Sequence, residues 1–295
     1  MGERVGLVGF GIMGAAMAPR MMAAGYSVAV FDSSADAMDG AAAIGCIAAD
    51  SPYELARETG VTIISLPRPE HVVGVVRTGA DCLLAGAGQG SVIVDTSTVD
   101  PATSQHNAAA AMKTGVGYLD APVLGRPAGV GSWTLPVGGD VDHLDTAAPV
   151  LKTFAANIVH VGPSGQGNKL KLLNNLMFGA INAVTCEVFA AAERLGMDPG
   201  VLFDTVVDSG AATVSNLFRE LGPKIVGHDF VPAFSIDNLE KDVGLGLAMA
   251  RDAGMTLAVS EAGQRLNRRA QAAGLGGEDT AAIVKIVEHD ASVEG

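Results

Sequence analysis

Arg4-Val5-Gly6-Leu7-Val8 runs straight into Gly9-Phe10-Gly11-Ile12-Met13-Gly14, and from there into an apolar stretch, Ala15 to Ala24, that stops at Gly25. A strand, a glycine turn and a helix in immediate succession form a βα unit whose turn bends tightly and passes close to a ligand. Gly9 permits the bend, Gly11 removes the side chain that would hold a pyrophosphate off the backbone, and Gly14 lets the helix lie against the sheet. The first helical N–H groups, those around Ile12 and Met13, then face the phosphates with the positive end of the helix dipole. A second strand, Ser27-Val28-Ala29-Val30-Phe31, ends in Asp32, 18 positions after Gly14. A carboxylate there accepts hydrogen bonds from an adenosine ribose and repels a 2′-phosphate. The pattern predicts a dinucleotide site with NAD favoured over NADP.

The alternation of short β-branched runs with Ala-rich stretches continues through the first half and predicts a doubly wound parallel sheet. Further strands are expected at Val61–Leu66, Ser91–Val94, Gly117–Leu119, Trp133–Val137 and Asn157–Val161. Ligands of such sheets lie beyond the carboxyl ends of the strands, so Leu66-Pro67 and Asp95-Thr96-Ser97-Thr98 are candidates to line the cleft. Ser, Thr and Asp ahead of Pro101 also make a good helix N-cap, and the two roles are compatible. The strand signal stops at Gly162-Pro163. From Asn168 to Leu195 the chain reads as one long helix, closed by Gly196 and Pro199, and the remainder reads as helical. The expected organisation is a Rossmann-type dinucleotide domain at 1–163 and an all-α domain at 164–295 that begins with the long helix.

Composition sets outer limits. A chain of 295 residues, 48% hydrophobic, can build two cores. A net charge of −13 argues against nucleic acid and anionic membrane surfaces as partners. Cys46, Cys82 and Cys186 are widely spaced and sit in no CxxC or Cys/His cluster, so neither a disulfide framework nor a metal site is expected. The first apolar segment is broken by glycines and belongs to the βα unit, so no signal peptide is expected. No run of 18 apolar residues predicts a membrane span. These features fit a cytoplasmic enzyme.

The second informative stretch is Gly165-Gln166-Gly167-Asn168-Lys169-Leu170-Lys171-Leu172-Leu173-Asn174-Asn175. Lys171 and Asn175 are four apart, so one helical turn stacks them on one face, while Lys169 points elsewhere. Leu170, Leu172, Leu173, Leu176 and Met177 are the expected apolar surroundings. They would raise the cost of a charged ammonium and suit Lys171 to proton transfer near neutral pH. Spacing alone also allows an ordinary surface lysine and a polar residue at a helix junction.

Taken in order, several motifs resemble those of the β-hydroxyacid dehydrogenase family, which includes 3-hydroxyisobutyrate dehydrogenases and tartronate semialdehyde reductases. They are Gly6 to Gly14, Leu66-Pro67, Asp95 to Pro101, Asp120-Ala121-Pro122-Val123, Gly138-Gly139, the GxGxxxKxxxN stretch, Lys241-Asp242-Val243 and Gly274 to Asp279. The resemblance spans nearly the whole chain. It implies that Lys171 is the catalytic lysine with Asn175 its partner at the substrate, that Thr98 lies near the nicotinamide ribose, and that Lys241 serves the cofactor. It also implies NAD(P)-dependent chemistry on a small hydroxyacid and a homodimer or homotetramer assembled through the helical domains.

One departure bears on substrate. Where the family usually continues DAPV with Ser-Gly-Gly, this chain has Leu124-Gly125-Arg126, and the stretch from Arg126 to Gly131 is about two residues shorter than the family pattern. The serine hydroxyl is gone, Gly125 still offers an N–H, and Arg126 can bind a carboxylate through two parallel bonds or simply face solvent. Trp133, also unusual at its place, reads as sheet packing in preference to a substrate wall. Two alternatives remain beside a hydroxyacid dehydrogenase: an imine reductase of the same fold, a group that generally lacks the lysine, and a non-catalytic NAD-binding module.

Overall fold

A computed structural model describes residues 3–211 and 213–293. The chain packs as two compact units that part between Lys171 and Leu172, inside a helix and beyond the Gly162-Pro163 break.

In the first unit β1 (Arg4–Val8), α1 (Ile12–Ala23), β2 (Ser27–Phe31), α2 (Ala35–Ala43), β3 (Ile47–Ala48), α3 (Pro52–Arg57), β4 (Val61–Ile64), α4 (Pro69–Arg77) and α5 (Leu83–Gly86) follow one another. They are succeeded by β5 (Val92–Asp95), α6 (Pro101–Met112), β6 (Gly117–Asp120), β7 (Trp133–Gly138), α7 (Val141–Leu151) and β8 (Ala155–Gly162). The strands form one sheet in the order β3-β2-β1-β4-β5-β6-β7-β8. The side-chain period of two divides its faces. Val5, Leu7, Val28, Val30, Ile63, Val94 and Leu119 pack under α1 and α7 with Met17, Met21 and Leu151. Val8, Ala29, Ile64, Ile93 and Tyr118 pack on the opposite layer with Leu55, Val72, Val76 and Leu83.

Two features depart from the expected parallel sheet. β7 runs antiparallel to β6, because the chain returns after Asp120 through a short loop with one 3₁₀ turn, Pro127–Gly129, and no crossover helix. β3 is only two exposed residues at the sheet edge, too short to show a period in the sequence. The remaining pairs are parallel.

α8 (Gln166–Arg194) starts in the first unit and continues into the second, where α9 (Pro199–Ser209), α10 (Asn216–Val226), α11 (Ile236–Asp252), α12 (Ala258–Ala272) and α13 (Ile283–Val293) follow. Cys186 and Phe189 of α8 pack with Phe218, Leu221, Ile236 and Ile283. Leu176 packs with Leu239, Val243 and Leu247 of α11. By length and composition α8 could cross a membrane. Its inward side, however, carries the buried amides of Asn175 and Asn182, bonded to Asp242 and to the Thr280 carbonyl, as in the core helix of a folded unit.

Candidate active site

The turn after β1 is as tight as its glycines require. Gly9 has φ +97°, and a Cβ on it would stand 2.2 Å from the Ser65 carbonyl oxygen. A Cβ on Gly14 would stand 2.1 Å from the Gly9 carbonyl oxygen, so α1 touches the turn directly. Gly11 differs: nothing lies within 4 Å of the position its Cβ would take. Gly11 is also the N-cap of α1 and no side chain caps that helix, so the first N–H groups, at Ile12 and Met13, have no side-chain acceptor. Open space over a bare helix N-terminus fits a pyrophosphate. Ile12 is 65% exposed beside it.

Asp32, at the end of β2, ties this turn down. Its Oδ2 accepts the Phe10 N–H at 2.7 Å and its Oδ1 accepts the Ser34 N–H at 2.9 Å. Each carboxylate oxygen has a further lone pair for a ribose hydroxyl. Leu66 is half-buried and Pro67 exposed at the end of β4, and Thr98 is half-buried after β5.

The helix bearing Lys171 is seated on Asp120, a motif residue whose partners the sequence does not reveal. Asp120, the last residue of β6 and fully buried, accepts the Gly165 N–H at 2.7 Å on Oδ1 and the Asn168 N–H at 2.9 Å on Oδ2. It thereby caps the first turn of α8. Burial pushes its pKa up, and these backbone bonds oppose the rise. Gly167 makes the fit possible, since a Cβ there would lie 2.4 Å from the Asp120 carbonyl oxygen and 2.5 Å from that of Pro136. Asn168 adds a second tie: its Oδ1 accepts the Val99 N–H at 3.1 Å and its Nδ2 donates to Ser104 Oγ at 3.1 Å. The loop bearing Thr98 and the first turn of α8 are thus bound together, with Lys171 three residues beyond Asn168.

The expected apolar surroundings of Lys171 are only partly formed. Leu172 and Leu176 are buried, but Leu170, Leu173 and Met177 are exposed. Lys171 itself is half-buried, as is Lys169.

In the second unit Asn175 is 2% exposed and donates from Nδ2 to Asp242 Oδ2. Asn174 Nδ2 donates to Asn175 Oδ1 at 3.2 Å. Asp242 also pairs through Oδ1 with Lys241 Nζ at 2.8 Å. Asp242 is therefore the hub of Asn175 and Lys241, a role hidden in the sequence by its resemblance to an ordinary charged helix turn.

The loop after β6 is shaped from beneath by Trp133. Leu124 and Thr134 exchange backbone hydrogen bonds at 2.9 and 3.2 Å. The Trp133 Nε1–H donates to the Arg126 carbonyl oxygen at 2.7 Å, and the Gly129 N–H reaches the same oxygen at 2.9 Å. A Cβ on Gly125 would stand 2.3 Å from Trp133 Cδ1, so the indole lies flush under the loop. Trp133 is 1% exposed and meets Phe154 edge-on at 6.2 Å. Among the described residues no group of three or more His, Cys, Asp or Glu is placed to hold a metal ion.

The chain as a whole matches known proteins in sequence and in fold. Residues 4–162 match the model of the NAD-binding domain of 6-phosphogluconate dehydrogenase, and residues 165–287 that of the NAD-binding domain of NADP-dependent 3-hydroxyisobutyrate dehydrogenase. The chain belongs to the β-hydroxyacid dehydrogenase family of NAD(P)-binding oxidoreductases that act on CH–OH groups. It is 34% identical to 3-hydroxyisobutyrate dehydrogenase of Pseudomonas aeruginosa over 84% of this chain and 85% of that one. It is 32% identical to the NAD-dependent L-serine dehydrogenase of the same organism, over 84% and 86%. The crystallised Mycobacterium tuberculosis 3-hydroxyisobutyrate dehydrogenase with L-serine superposes with a TM-score of 0.86 at 30% identity, covering 97% of this chain and 99% of that one.

The Trp133 contact yields a measurable expectation. Trp133→Phe keeps the ring but leaves the Arg126 carbonyl with one donor, a loss of about 1 kcal/mol. Amide exchange across residues 124–130 should then accelerate about fivefold, while strands β1, β4 and β5 keep their protection. Unchanged exchange in the loop would show that the indole N–H does not hold it.

Proposed function

We propose that the protein is an NAD-dependent dehydrogenase that interconverts a small β-hydroxyacid, or a related alcohol, with its semialdehyde or ketone, with Lys171 as acid and base. The observation that carries this reading is the seating of α8 on Asp120 and Asn168, which fixes Lys171 on the unit that carries the dinucleotide cradle. Asn175 follows one turn later on the same helix face.

A bound nicotinamide supplies the carbon that accepts or returns hydride. Lys171 Nζ takes the hydroxyl proton in the oxidation, and in the reverse direction its ammonium polarises and protonates the carbonyl. Asn175, its amide oriented by Asp242, keeps a second Nδ2 hydrogen for the substrate. Gly9, Gly11, Ile12, Met13 and Gly14 hold the pyrophosphate, Asp32 the adenosine ribose, and Leu66, Pro67 and Thr98 line the cleft, with Lys241 a further cofactor contact. Arg126 replaces the missing serine as the partner of the substrate carboxylate, beside the backbone N–H of Gly125. Leu124 makes that part of the pocket less polar. The retained lysine favours this reading over a module that only holds the dinucleotide.

Three carboxylates and no Lys or Arg occupy residues 32–40, which supports NAD as cofactor. The name of the L-serine dehydrogenase relative agrees with it. Free, buried thiols at Cys46, Cys82 and Cys186 support a reducing, cytoplasmic setting for the enzyme. Exposed Leu173, Met177, Val184 and Val188 recur at helical spacing along α8, with exposed Leu195 just past its end, and support a homodimer or homotetramer built on this face. Sedimentation as a monomer at micromolar concentration would remove that assignment.

Lys171→Ala should lower turnover on a hydroxyacid by about 10² to 10⁴-fold with NAD affinity nearly intact, whereas Lys169→Ala should have little effect. In the same assay Arg126→Ala should reduce kcat/KM for the acid about ten- to a hundredfold and that for its methyl ester much less. Wild-type turnover in Lys171→Ala would refute the lysine mechanism, and equal losses on acid and ester would refute the carboxylate role of Arg126. Titration with both cofactors should favour NAD over NADP by roughly 2–4 kcal/mol. Equal or tighter NADP binding would overturn the role given to Asp32.

A further inference from the structure

Asp95 ends β5 directly beside Asp120, its register partner on β6, and like it is fully buried. The lysine mechanism does not use it, yet its carboxylate is the centre of a connected set of hydrogen bonds. Oδ1 accepts the Ser97 N–H at 2.9 Å, and the Ser97 hydroxyl bonds to the same carboxylate. Ser97 Oγ in turn accepts the Leu66 N–H at 2.9 Å, so the loop after β4 is attached to the loop after β5 through one serine. Next to it the Thr96 hydroxyl and N–H both donate to the Ile64 carbonyl, at 2.7 and 2.8 Å. On the other side Oδ2 accepts the Tyr118 hydroxyl at 2.8 Å. That phenol oxygen accepts from Asn107 Nδ2 at 3.3 Å, and Asn107 Oδ1 accepts from Arg77 Nε at 2.9 Å. The set therefore runs from Arg77 on the surface of α4, through α6 and β6, to the two loops at the carboxyl edge of the sheet.

We propose that Asp95 is a positioning residue for the dinucleotide: it locks the β4 loop, Leu66-Pro67, and the β5 loop, Ser97-Thr98, into one rigid shelf under the cofactor. The inference rests on the NAD(P)-binding character of this unit. Both loops must hold their shape for a ligand that touches each, so a shared buried anchor lowers the ordering that binding would otherwise require. An ionised carboxylate suits the task. Its bonds to the Ser97 N–H and to the Tyr118 hydroxyl are charge-assisted, and a neutral acid would weaken the first and reverse the second.

The anchor consequently carries a signature in pH. Burial, with a smaller contribution from Asp120, raises the Asp95 pKa to about 6, against the lowering bonds from Ser97 and Tyr118. The charged and titratable groups around it are Asp120 and Tyr118 on β6 and, through Asn107 on α6, Arg77 on α4. Tyr118 is itself held far above its usual pKa by burial and by Asp95, so it stays a neutral donor throughout. Binding that favours the ionised shelf must tighten as pH rises through about 6 and weaken below it.

The test is titration of the purified protein with NADH and with NADPH, followed by nicotinamide fluorescence, from pH 5 to 8, with circular dichroism at each pH. Wild type should bind its preferred cofactor several-fold more tightly at pH 8 than at pH 5. Asp95→Asn should bind about tenfold more weakly at pH 8 and lose most of the pH dependence. Tyr118→Phe keeps the ring and removes one bond to the carboxylate, so it should move the midpoint to higher pH while retaining the high-pH affinity within a few-fold. If Asp95→Asn does not fold, the midpoint of Tyr118→Phe decides alone. An unshifted midpoint in Tyr118→Phe, or weaker binding in Asp95→Asn with an unaltered pH profile, would overturn the proposal. Absence of binding of either cofactor to wild type at every pH would instead overturn the dinucleotide reading.

Discussion

The site depends on a buried carboxylate at the end of a strand that caps the helix carrying the lysine. A helix start leaves N–H groups without intrahelical partners, and α8 meets this need with Asp120 rather than with a residue of its own loop. The cap is therefore also a fastening: the first turn of α8 cannot move off the sheet without leaving a buried charge unsatisfied, which costs several kcal/mol. At Gly167 the absence of a Cβ lets the helix lie against the sheet. Lys171 inherits its position from this junction.

The same edge of the sheet holds a second carboxylate, and the two divide the work. Asp120 faces the helix, while Asp95 faces the loops of β4 and β5. Two like charges side by side in a core raise each other's cost, so such a pair persists only where each is fully engaged. Each is. Asn168 links the two systems, since it rests on Asp120 through its N–H and holds Val99, just past Thr98, through its side chain.

Much of this fold was legible in the sequence and the key fastenings were not, for a definite reason. The glycine turn, the alternating strands and the long helix are written in local periods and turn residues, and each lies within a few residues of where those signals put it. The antiparallel β7 has no local signature, because strand direction is set by the connection and not by composition. The fastenings join residues far apart in sequence: Asp120 to Gly165, Val99 to Asn168 and Asn175 to Asp242 are 45, 69 and 67 residues apart. No periodicity encodes such pairs. Asp120 and Asp242 were visible as parts of motifs, but their partners were not. The exposed Leu173 and Met177 make a related point, since a helix rich in leucine does not reveal which of its sides a core will cover.

The loop after β6 follows the same logic with a different device. Its backbone is set from below by the indole of Trp133, which presses on Gly125, bonds the Arg126 carbonyl and leaves no room for a Cβ at 125. A backbone fixed in this way separates shape from chemistry. Leu124 and Arg126 set what the loop offers a ligand, while Trp133 and the Leu124–Thr134 pairing determine where those side chains start. A residue that sequence alone assigns to packing thus also governs the shape of the loop after β6, and it does so through one N–H that packing did not require.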